Sequence, residues 1–415
     1  MIATPPQICI LGGGFSGLYT ALHLSCYRWP QSAPPQITLV DQSDHFLFTP
    51  LLYELLTDEL KSWQIAPKFE QLLVDKGIHF CQAIIQGVDF PNRQVLLQGG
   101  RVLAYDRLVL AGGKGNSLEV VPGAATYAYP FRTLADADRL QEQLRLLAAS
   151  DRKFIRIAIA GGGASGVELA CKLADRLKHQ GRIRLIEQGG QILKDFRISS
   201  QKAAQRALAR PRIRVDLNTS IEAVGADQLI LSYAGQVETV PVDLVLWTVG
   251  TRARTWVSRL ACPHDERGQL LVRSTLQVIG YPEVWALGDL ASIQEAQGQA
   301  VPLTAQAAFQ QAKVASRNLW ASLTGRCLLA FHYQHLGEML TLGSKNAAIS
   351  SYGLHLEGSL AAVIRHWVYF LKMPTLRHRL QVAAYWLVKP VWQDLRSGWQ
   401  GWVSWVRQLK ARLKQ

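Results

Sequence analysis

Cysteine is scarce in this chain, and its six cysteines are far apart. None falls in a Cys-x-x-Cys pair or at a spacing with histidine that is typical of a metal site. A reaction that needs a closely spaced redox dithiol is therefore excluded, and no bound metal is expected. We expect buried free thiols in a reducing compartment, at Cys9, Cys26, Cys81, Cys171, Cys262 and Cys327.

Long hydrophobic runs are also missing. No uninterrupted apolar stretch approaches the about 18 residues that would predict a transmembrane helix. The first predicted strand begins at about Ile8, which leaves no room for a signal or transit peptide. Because the chain is 48% hydrophobic, it can bury the cores of two or three domains rather than remain disordered. We expect a soluble or peripheral protein on the side of the membrane where it is made.

Acidic residues are nearly absent from the C-terminal segment. Between Ala361 and Gln415 ten Lys and Arg face one acid, Asp394, so this segment holds +9 of the net charge of +14. Aromatic and basic residues at helical spacing are typical of a helix that lies in a membrane interface. One alternative is a helix docked on the body or on the second subunit of a homodimer; nucleic-acid binding is disfavoured, because no recognition motif accompanies the charge. The segment also contains half of the chain's tryptophans: Trp367, Trp386, Trp392, Trp399, Trp402 and Trp405.

Two Gly-x-Gly-x-x-Gly fingerprints lie 149 residues apart, each directly after an apolar run that predicts a strand. One glycine of such a fingerprint allows a tight turn, one lets the backbone approach a pyrophosphate, and one lets a helix pack on the strand. An acid ends the next apolar run in both copies, where it can hold a ribose 2′-OH. A chain that binds two dinucleotides most simply passes electrons between them. The predicted sites comprise Gly12, Gly14, Phe15, Ser16, Gly17 and Asp41, and Gly161, Gly163, Gly166 and Glu187.

The chain repeats one plan of about 100 residues. An apolar strand running into a small-residue turn closes both copies, with Gly112 in the first turn and Gly250 in the second. A later strand ends at Gly288-Asp289, so the second unit is predicted to be inserted in the first. The fold class is therefore α/β, with two Rossmann-like dinucleotide-binding domains and a C-terminal amphipathic helical membrane-anchoring region. The predicted parts are residues 1–120 and 256–330 for the first domain, 121–255 for the second, and 331–415 for a β-rich stretch with amphipathic helices.

These motifs together resemble those of the two-dinucleotide flavoprotein reductases. The resemblance implies that the first unit binds FAD and the second NAD(P)H, and that Asp289 bonds the ribityl or pyrophosphate part of the flavin. Residues 304–311 resemble the quinone-site motif of the type II NAD(P)H dehydrogenases in that family, and residues 45–53 resemble their motif beside the flavin. Glu168 matches the glutamate that this group places near the nicotinamide; the alternative is a salt bridge or a helix-dipole partner.

Gln306 and Gln310 lie about one helical turn apart, so both can face one ligand and donate to a quinone carbonyl. The alternative is a pair of surface amides on the helix. The resemblance implies hydride transfer from NAD(P)H to the flavin, then two-electron transfer to a quinone, with the protein positioning the partners and excluding water.

Residues 50–56, 63–67 and 371–375 narrow the resemblance to the cyanobacterial and plastid demethylphylloquinone reductases. This group implies a prenylated quinone, phylloquinone biosynthesis, and a peripheral protein on the cytoplasmic face of a thylakoid or plasma membrane. Three positions depart from the family pattern: Gly112 replaces a threonine in the first turn, Asp41 replaces a glutamate, and the basic residue near the quinone has no clear match, with Arg365 or His366 closest.

Coenzyme choice stays open between NADH and NADPH. The carboxylate of Glu187 would repel a 2′-phosphate, which favours NADH, whereas Arg182, Arg184 and Gln188 nearby can soften that preference. The resemblance to the demethylphylloquinone reductases implies NADPH instead. Three other functions also remain: a respiratory-type NADH dehydrogenase, a sulfide:quinone oxidoreductase, which would need reactive cysteines beside the flavin, and a flavin redox sensor without turnover.

Overall fold

The computed structural model describes residues 5–29, 34–209, 213–295 and 298–387. The chain divides into a large compact unit that ends at Val368 and a smaller one that begins at Tyr369. In the smaller unit, residues 376–387 are helical. The tail tryptophans Trp392, Trp399, Trp402 and Trp405 lie outside the described residues, so the predicted anchoring tail stays a prediction.

The first sheet of the large unit has six strands from two distant parts of the chain. Its strands are parallel except for one antiparallel pair at an edge. In spatial order they are Gln277–Val278, Tyr281–Ala286, Arg107–Leu110, Gln7–Leu11, Gln36–Asp41 and Ile78–Gln82. Ile10 and Leu11 are fully buried, as expected for an apolar run in a parallel strand covered on both faces. The helices Phe15–Leu24 and Ala305–Thr324 pack against each other.

The second sheet has five parallel strands and comes from the middle of the chain. In spatial order they are Ile213–Asp216, Gly181–Ile186, Ile155–Ala160, Leu244–Trp247 and Ala128–Pro130. An antiparallel meander of Thr219–Val224, Gln228–Tyr233 and Gln236–Pro241 packs its apolar side chains with those of the sheet. The accompanying helices are Leu134–Ala149, Ala164–Leu177 and Ile198–Leu208. Two parallel sheets, each with a strand–turn–helix start, confirm the α/β class.

Smaller elements complete the large unit. Further antiparallel sheets are Ile85–Asp89 with Gln94–Leu97 and Val102–Ala104, and Glu338–Thr341 with Ala347–Ser351 and Leu354–Gly358. Two-stranded pairs join Lys114–Asn116 to Thr251–Ala253 and Leu270–Leu271 to Ala291–Ser292. Short helices are Ser62–Ile65, Phe69–Leu73, Ala124–Tyr127 and Thr255–Ser258, with 3-10 turns at Thr49–Leu55 and Gly288–Leu290. The helix Ser359–Lys372 begins directly after the last strand.

No helix within the described ranges combines the length and the apolar character that crossing a bilayer requires.

Candidate dinucleotide and quinone sites

The two fingerprints fold in the same way down to individual hydrogen bonds. The N–H of Gly13 donates to Asp41 Oδ2 at 2.6 Å, and the N–H of Gly162 donates to Glu187 Oε2 at 2.6 Å. The second oxygen of each acid accepts a backbone N–H two residues further on, at 2.8 and 2.7 Å. Each acid is thereby held at the end of its strand beside the fingerprint, where the sequence predicts the ribose.

The glycines of each fingerprint have different structural reasons. Gly12 and Gly161 have φ of +107° and +105°, a conformation that side chains rarely adopt. A Cβ on Gly17 or Gly166 would lie 1.8 Å from the carbonyl oxygen of Gly12 or Gly161, so these glycines permit close packing of helix on strand. These are two of the three roles that the sequence predicts for a dinucleotide fingerprint.

Gly14 and Gly163 face open space. No heavy atom lies within 4 Å of a Cβ built on either residue, and neither caps its helix through a side chain. The N–H groups of both helix N-termini are therefore accessible to an anion such as a pyrophosphate. Both sites fit a dinucleotide on this ground.

A cavity of about 700 Å³ adjoins the first fingerprint and is lined in part by Gly12, Asp41 and Gly112. A Cβ on Gly112 would lie 2.8 Å from Cζ2 of Trp256, so the glycine that departs from the family pattern is required here. Arg254 Nε donates to the carbonyl oxygen of Gly112 at 2.7 Å. Arg254 and Trp256 belong to no sequence motif, so only the structure places them at the cavity.

The late Gly-Asp turn lies against the first fingerprint, as the sequence predicts. Gly288 has φ of +71°, and a Cβ on it would lie 2.9 Å from Ser16 Oγ. Its N–H donates to Gln311 Oε1 at 2.7 Å, which fixes the turn to the helix Ala305–Thr324. Burial raises the pKa of Asp289, while Arg132 and Lys114 act in the opposite direction. The turn therefore presents Asp289 from a position next to the predicted FAD pyrophosphate site.

The second site is closed by the turn after the strand Leu244–Trp247. Thr248 Oγ1 donates to the carbonyl oxygen of Ala160 at 2.6 Å and lies near the first glycine of the fingerprint. Gly250 has φ of +72° and approaches Ser117, so this turn also needs a glycine. The arrangement repeats the way in which Gly112 borders the first site.

The arginines near Glu187 are engaged elsewhere. Arg184 bonds Asp216 and, at 3.1 Å, Glu238. The guanidinium of Arg182 lies 3.8 Å from the ring centroid of Phe154 and donates to backbone carbonyls. Neither arginine is therefore placed to offset the negative charge of Glu187.

Glu168 is buried on the helix Ala164–Leu177. Its Oε1 accepts the backbone N–H of Thr341 at 2.8 Å and lies 3.9 Å from Nη2 of Arg365. Burial raises the pKa of Glu168 to about 7, against the lowering effects of Arg365 and of the hydrogen bond from Thr341. A carboxyl group with a pKa in this range can exchange a proton near neutral pH, which suits acid–base chemistry beside a reaction site.

A buried network of charged side chains surrounds Glu168, and most of it escaped sequence reasoning. Arg365 Nη1 donates to Glu54 Oε1 at 2.5 Å, and its Nη2 donates to the carbonyl oxygen of Pro50 at 2.7 Å. Lys172 Nζ lies 2.6 Å from Glu59 Oε1 and 3.9 Å from Glu54 Oε1. Glu54 and Lys172 interrupt otherwise apolar segments, and that interruption was the available signal.

Of the two basic residues left open by the sequence, Arg365 is the buried one. Its side chain is 1% exposed and lies beside Glu168. The imidazole of His366 is 28% exposed and lies 3.9 Å from Glu59 Oε2, at the outer side of the network. The structure thus assigns the two residues different places.

Gln306 and Gln310 lie on one face of their helix, and both bind the segment 333–337. Gln306 Oε1 accepts from Tyr333 OH at 2.8 Å and from the N–H of Leu336 at 2.9 Å, while its Nε2 donates to Gly337 at 3.2 Å. Gln310 exchanges hydrogen bonds of 2.8 and 2.9 Å with the backbone of Gln334. Their role at a quinone stays a prediction; in the structure they fix the 333–337 segment to the helix.

Two parallel sheets, two uncapped fingerprint helices and the Gly-Asp turn define a class, the oxidoreductases with paired dinucleotide-binding folds. Residues 6–312 match the model of the pyridine nucleotide-disulphide oxidoreductase family, and the chain belongs to that family. Membership confirms the prediction of FAD and NAD(P)H as cofactors. No disulphide joins any of the six cysteines, all of which lie in the described part of the chain, and Cys26 and Cys327 are exposed, contrary to the expected burial.

Curated relatives place the chain among the NAD(P)H:quinone oxidoreductases of the family. It is 47% identical to demethylphylloquinone reductase of Synechocystis, over 94% of this chain and 98% of the relative. It is 37% identical to the alternative NAD(P)H-ubiquinone oxidoreductase C1 of Arabidopsis thaliana, over 92% of this chain and 81% of the relative. These likenesses confirm the predicted family and enzyme class.

Solved structures share the fold. NDH2 of Plasmodium falciparum in complex with NADH has a TM-score of 0.82 at 17% identity, covering 93% of this chain and 98% of that one. The sulfide:quinone oxidoreductase of Aquifex aeolicus has a TM-score of 0.76 at 20% identity, covering 88% of this chain and 90% of that one. One fold therefore serves at least two electron donors, and the fold alone does not choose between them.

Proposed function

We propose that this protein is an FAD-dependent NAD(P)H:quinone oxidoreductase that reduces a prenylated quinone, with demethylphylloquinone as the leading substrate. The 47% identity to the Synechocystis demethylphylloquinone reductase over 94% of the chain carries this proposal. When bound, FAD supplies hydride acceptance from NAD(P)H and two-electron donation to the quinone. Plastoquinone-type benzoquinones are further candidate substrates.

The two dinucleotide sites divide between the two sheets. FAD binds the first fingerprint, whose neighbours include the 700 Å³ cavity and Asp289, and NAD(P)H binds the second. This assigns FAD to residues 1–120 and 256–330 and NAD(P)H to residues 121–255. Asp41 and Glu187 orient the riboses, and the helix N-termini at Gly14 and Gly163 hold the pyrophosphates.

Glu168 carries a proton in the quinone reaction. Quinol formation from NAD(P)H takes up one proton from solution, because the hydride supplies two electrons but only one of the two hydrogens. A buried carboxyl with a pKa of about 7 can hold that proton at neutral pH and release it. Gln306 and Gln310 hold the 333–337 segment in place and, through it, shape the quinone side of the site.

Steady-state kinetics of the FAD-loaded protein test the proposal. NADH and NADPH are each paired with demethylphylloquinone, a plastoquinone analogue and a ubiquinone analogue, and sulfide replaces the nucleotide in a parallel series. We expect NAD(P)H oxidation with the highest kcat/KM for demethylphylloquinone. Quinone reduction driven by sulfide alone, or slow NAD(P)H oxidation with every quinone, would replace the proposal by a sulfide oxidase or a redox sensor.

Two of the six cysteines are poorly suited to react with sulfide. Burial raises the pKa of Cys9 to about 12 and that of Cys262 to about 11, so neither forms a thiolate readily.

A respiratory-type NADH dehydrogenase remains the second candidate, because the chain is also 27% identical to the type II NADH:quinone oxidoreductase of Haemophilus influenzae. Prenylquinone profiles of a strain that lacks the gene separate a biosynthetic from a respiratory role.

We also propose that the protein binds a membrane surface peripherally, on the cytoplasmic face. Leu360, Val363 and Trp367 are 62%, 53% and 54% exposed, and their spacing places them on one face of the helix Ser359–Lys372. Such an apolar face suits the headgroup region of a bilayer that also holds the quinone. A homodimer contact through the same face is the alternative, and sedimentation of the protein with and without vesicles decides between them.

A further inference from the structure

The buried network around Glu168 contains three carboxyl groups but only two Lys or Arg side chains among the described residues. Its carboxylates are Glu54, Glu59 and Glu168, and its cations are Lys172 and Arg365. Glu54, Lys172 and Arg365 are at most 1% exposed, so water screens their charges poorly. Lys172 and Arg365 balance two of the three carboxylates, which favours a proton on one of the three carboxyl groups; His366 faces Glu59 at 3.9 Å from the solvent side.

The distances select Glu168 as the protonated group. Arg365 lies 2.5 Å from Glu54 but 3.9 Å from Glu168, and Lys172 lies 2.6 Å from Glu59. Two of the acids thus hold the two cations in contact, while Glu168 accepts a backbone N–H at 2.8 Å and lies 3.9 Å from Arg365. Glu54 and Glu168 compete for one guanidinium, and Glu54 has the nearer position.

We propose, building on the proposed function, that Glu54 and Lys172 are positioning residues that keep one exchangeable proton on Glu168 for quinone reduction. Glu54 holds Arg365 in contact and so keeps this guanidinium away from Glu168, and Lys172 supplies a second positive charge that favours the ionised form of Glu54. In the overall reaction NAD(P)H, one proton and the quinone give NAD(P)⁺ and the quinol. Glu168 delivers that proton to the quinone and takes up another from solvent.

The surroundings of Glu168 are consistent with this assignment. Although burial opposes it, Arg365 and Lys172 hold the pKa of Glu54 below its ordinary value. Oε2 of Glu54 is buried without a hydrogen-bond partner among the described residues, so the ionised form depends on Arg365 and Lys172, with a smaller contribution from His366. Tyr53 also faces the group, and burial raises the pKa of its hydroxyl, so it stays neutral.

The same side chains do not form a metal site. Glu54, Glu59 and His366 offer three ligand atoms within 4.8 Å of one another. The ammonium of Lys172 already supplies the cation that faces Glu54 and Glu59. His366, at 3.9 Å from Glu59, is the remaining titratable neighbour at the solvent side of the network.

Two substitutions that should shift the titration of Glu168 in opposite directions test the proposal. Glu54→Gln frees Arg365 for Glu168, so Glu168 should lose its proton at a pH lower by about one unit or more. Lys172→Met leaves three acids with one cation, so Glu168 should keep its proton to a pH higher by about one unit. Lys172→Arg preserves the charge and should leave the titration near that of the unaltered protein.

Infrared titration of the FAD-loaded enzyme reads the proton directly. The C=O stretching band of a protonated carboxyl group is assigned to Glu168 if the band is absent in Glu168→Gln. The pH at which this band has half of its full intensity is then measured in each variant. The pH profile of the quinone half-reaction should move with it. Equal midpoints in all variants, or shifts of Glu54→Gln and Lys172→Met in one direction, would overturn the proposal.

The outcome does not depend on the identity of the substrate. If no quinone supports NAD(P)H oxidation, the proposed function fails, while the infrared midpoints still decide the location of the proton. Flavin content and melting temperature are recorded for each variant, because removing one partner of a buried ion pair destabilises a protein. If Glu54→Gln does not fold, the contrast between Lys172→Met and Lys172→Arg decides, and a midpoint that is the same in both contradicts the proposal.

Discussion

The backbone N–H of Gly162 donates to the carboxylate of Glu187 at 2.6 Å, within the fingerprint that we assign to NAD(P)H. Glu187 therefore has two tasks: it holds the loop in shape and places negative charge at the predicted ribose. Any change at this residue acts on the loop and on coenzyme choice together, so a test of coenzyme choice must keep the acceptor oxygen.

Glu187→Gln meets that condition for Gly162, because the amide oxygen can still accept its N–H, although the bond from the N–H of Gly189 is lost. We expect NADH to be preferred in the unaltered protein, since Arg182 and Arg184 are engaged away from Glu187. The substitution should lower the ratio of kcat/KM for NADH over NADPH roughly tenfold, which corresponds to about 1.4 kcal/mol. Asp41→Asn, made on FAD-loaded protein, is the matched control and should leave the ratio unchanged. A ratio that Glu187→Gln does not alter would mean that Glu187 does not face the 2′ position.

Bulk at Gly163 should block NAD(P)H and spare FAD. A Cβ at this position has no heavy atom of the rest of the protein within 4 Å, so Gly163→Val is expected to fold and to raise KM for NAD(P)H at least about tenfold by obstructing the pyrophosphate. Gly14→Val should instead lower the flavin content. Gly166→Ala is the structural control: its Cβ would lie 1.8 Å from a carbonyl oxygen, so it should lower the melting temperature. If Gly163→Val lost flavin while its KM for NAD(P)H was unchanged, FAD would belong to the second fingerprint and NAD(P)H to the first.

The fingerprints could be predicted because each glycine is required by local structure. The requirement is a tight turn, an open helix N-terminus or a close helix–strand contact. The ion network could not, because Arg365 and Glu54 are separated by 311 residues and meet only through the tertiary fold. The spacing of Gln306 and Gln310 correctly predicts a shared helix face. Their hydrogen bonds to the 333–337 segment depend on a loop that has no sequence signature.

Gln306→Leu should slow quinone reduction more than flavin reduction by NAD(P)H. The substitution removes three hydrogen bonds to the 333–337 segment, each contributing about 0.5–1.5 kcal/mol, and about 1.4 kcal/mol corresponds to tenfold in rate, so the quinone half-reaction should slow by about tenfold or more. Rapid-mixing spectra separate the half-reactions. Tyr333→Phe removes one of these three bonds, together with a longer contact of the hydroxyl with His335 Nδ1 at 3.4 Å, and should produce a smaller effect. An unchanged quinone half-reaction in Gln306→Leu would exclude this residue from the quinone side.

Asp243 should stabilise the second sheet at neutral pH and not in acid. Its carboxylate bonds Arg152 at 2.5 Å and the backbone N–H of Arg156 at 2.7 Å. Burial alone would raise the pKa of Asp243, but the hydrogen bonds from Arg156 hold it below its ordinary value. A lowered folded-state pKa contributes stability above the ordinary carboxyl range, and this contribution disappears as the pH falls through the lowered value.

Asp243→Asn should therefore lower the free energy of unfolding by about 1–2 kcal/mol at pH 7. This is less than the full value of a hydrogen bond to a charged group, because Arg152 and Arg156 are partly exposed and water screens their charge. The difference from the unaltered protein should shrink towards roughly pH 3. Urea denaturation at several pH values measures it. Glu142→Gln, which breaks an exposed pair with Arg145, is the control and should change little. If the difference in the free energy of unfolding does not depend on pH, the effect of Asp243 comes from packing and not from its charge.

Removal of the tail from Ser397 should release the protein from membranes while leaving reduction of a soluble quinone largely intact. The deleted stretch contains three tryptophans and four basic residues, and near an anionic surface each basic residue contributes about 1 kcal/mol. All residues assigned to the dinucleotide sites precede it, so the chemistry need not suffer directly. Cosedimentation with anionic vesicles at rising salt gives the measurement: the full chain should bind the vesicles, and its affinity should decrease partly with salt.

A second variant, Leu360→Ser with Val363→Ser, removes exposed apolar side chains from the helix Ser359–Lys372 and keeps the tail. If the truncated chain binds as the full chain does and the helix variant does not, the membrane contact belongs to the helix; if all three bind alike, neither segment is the anchor.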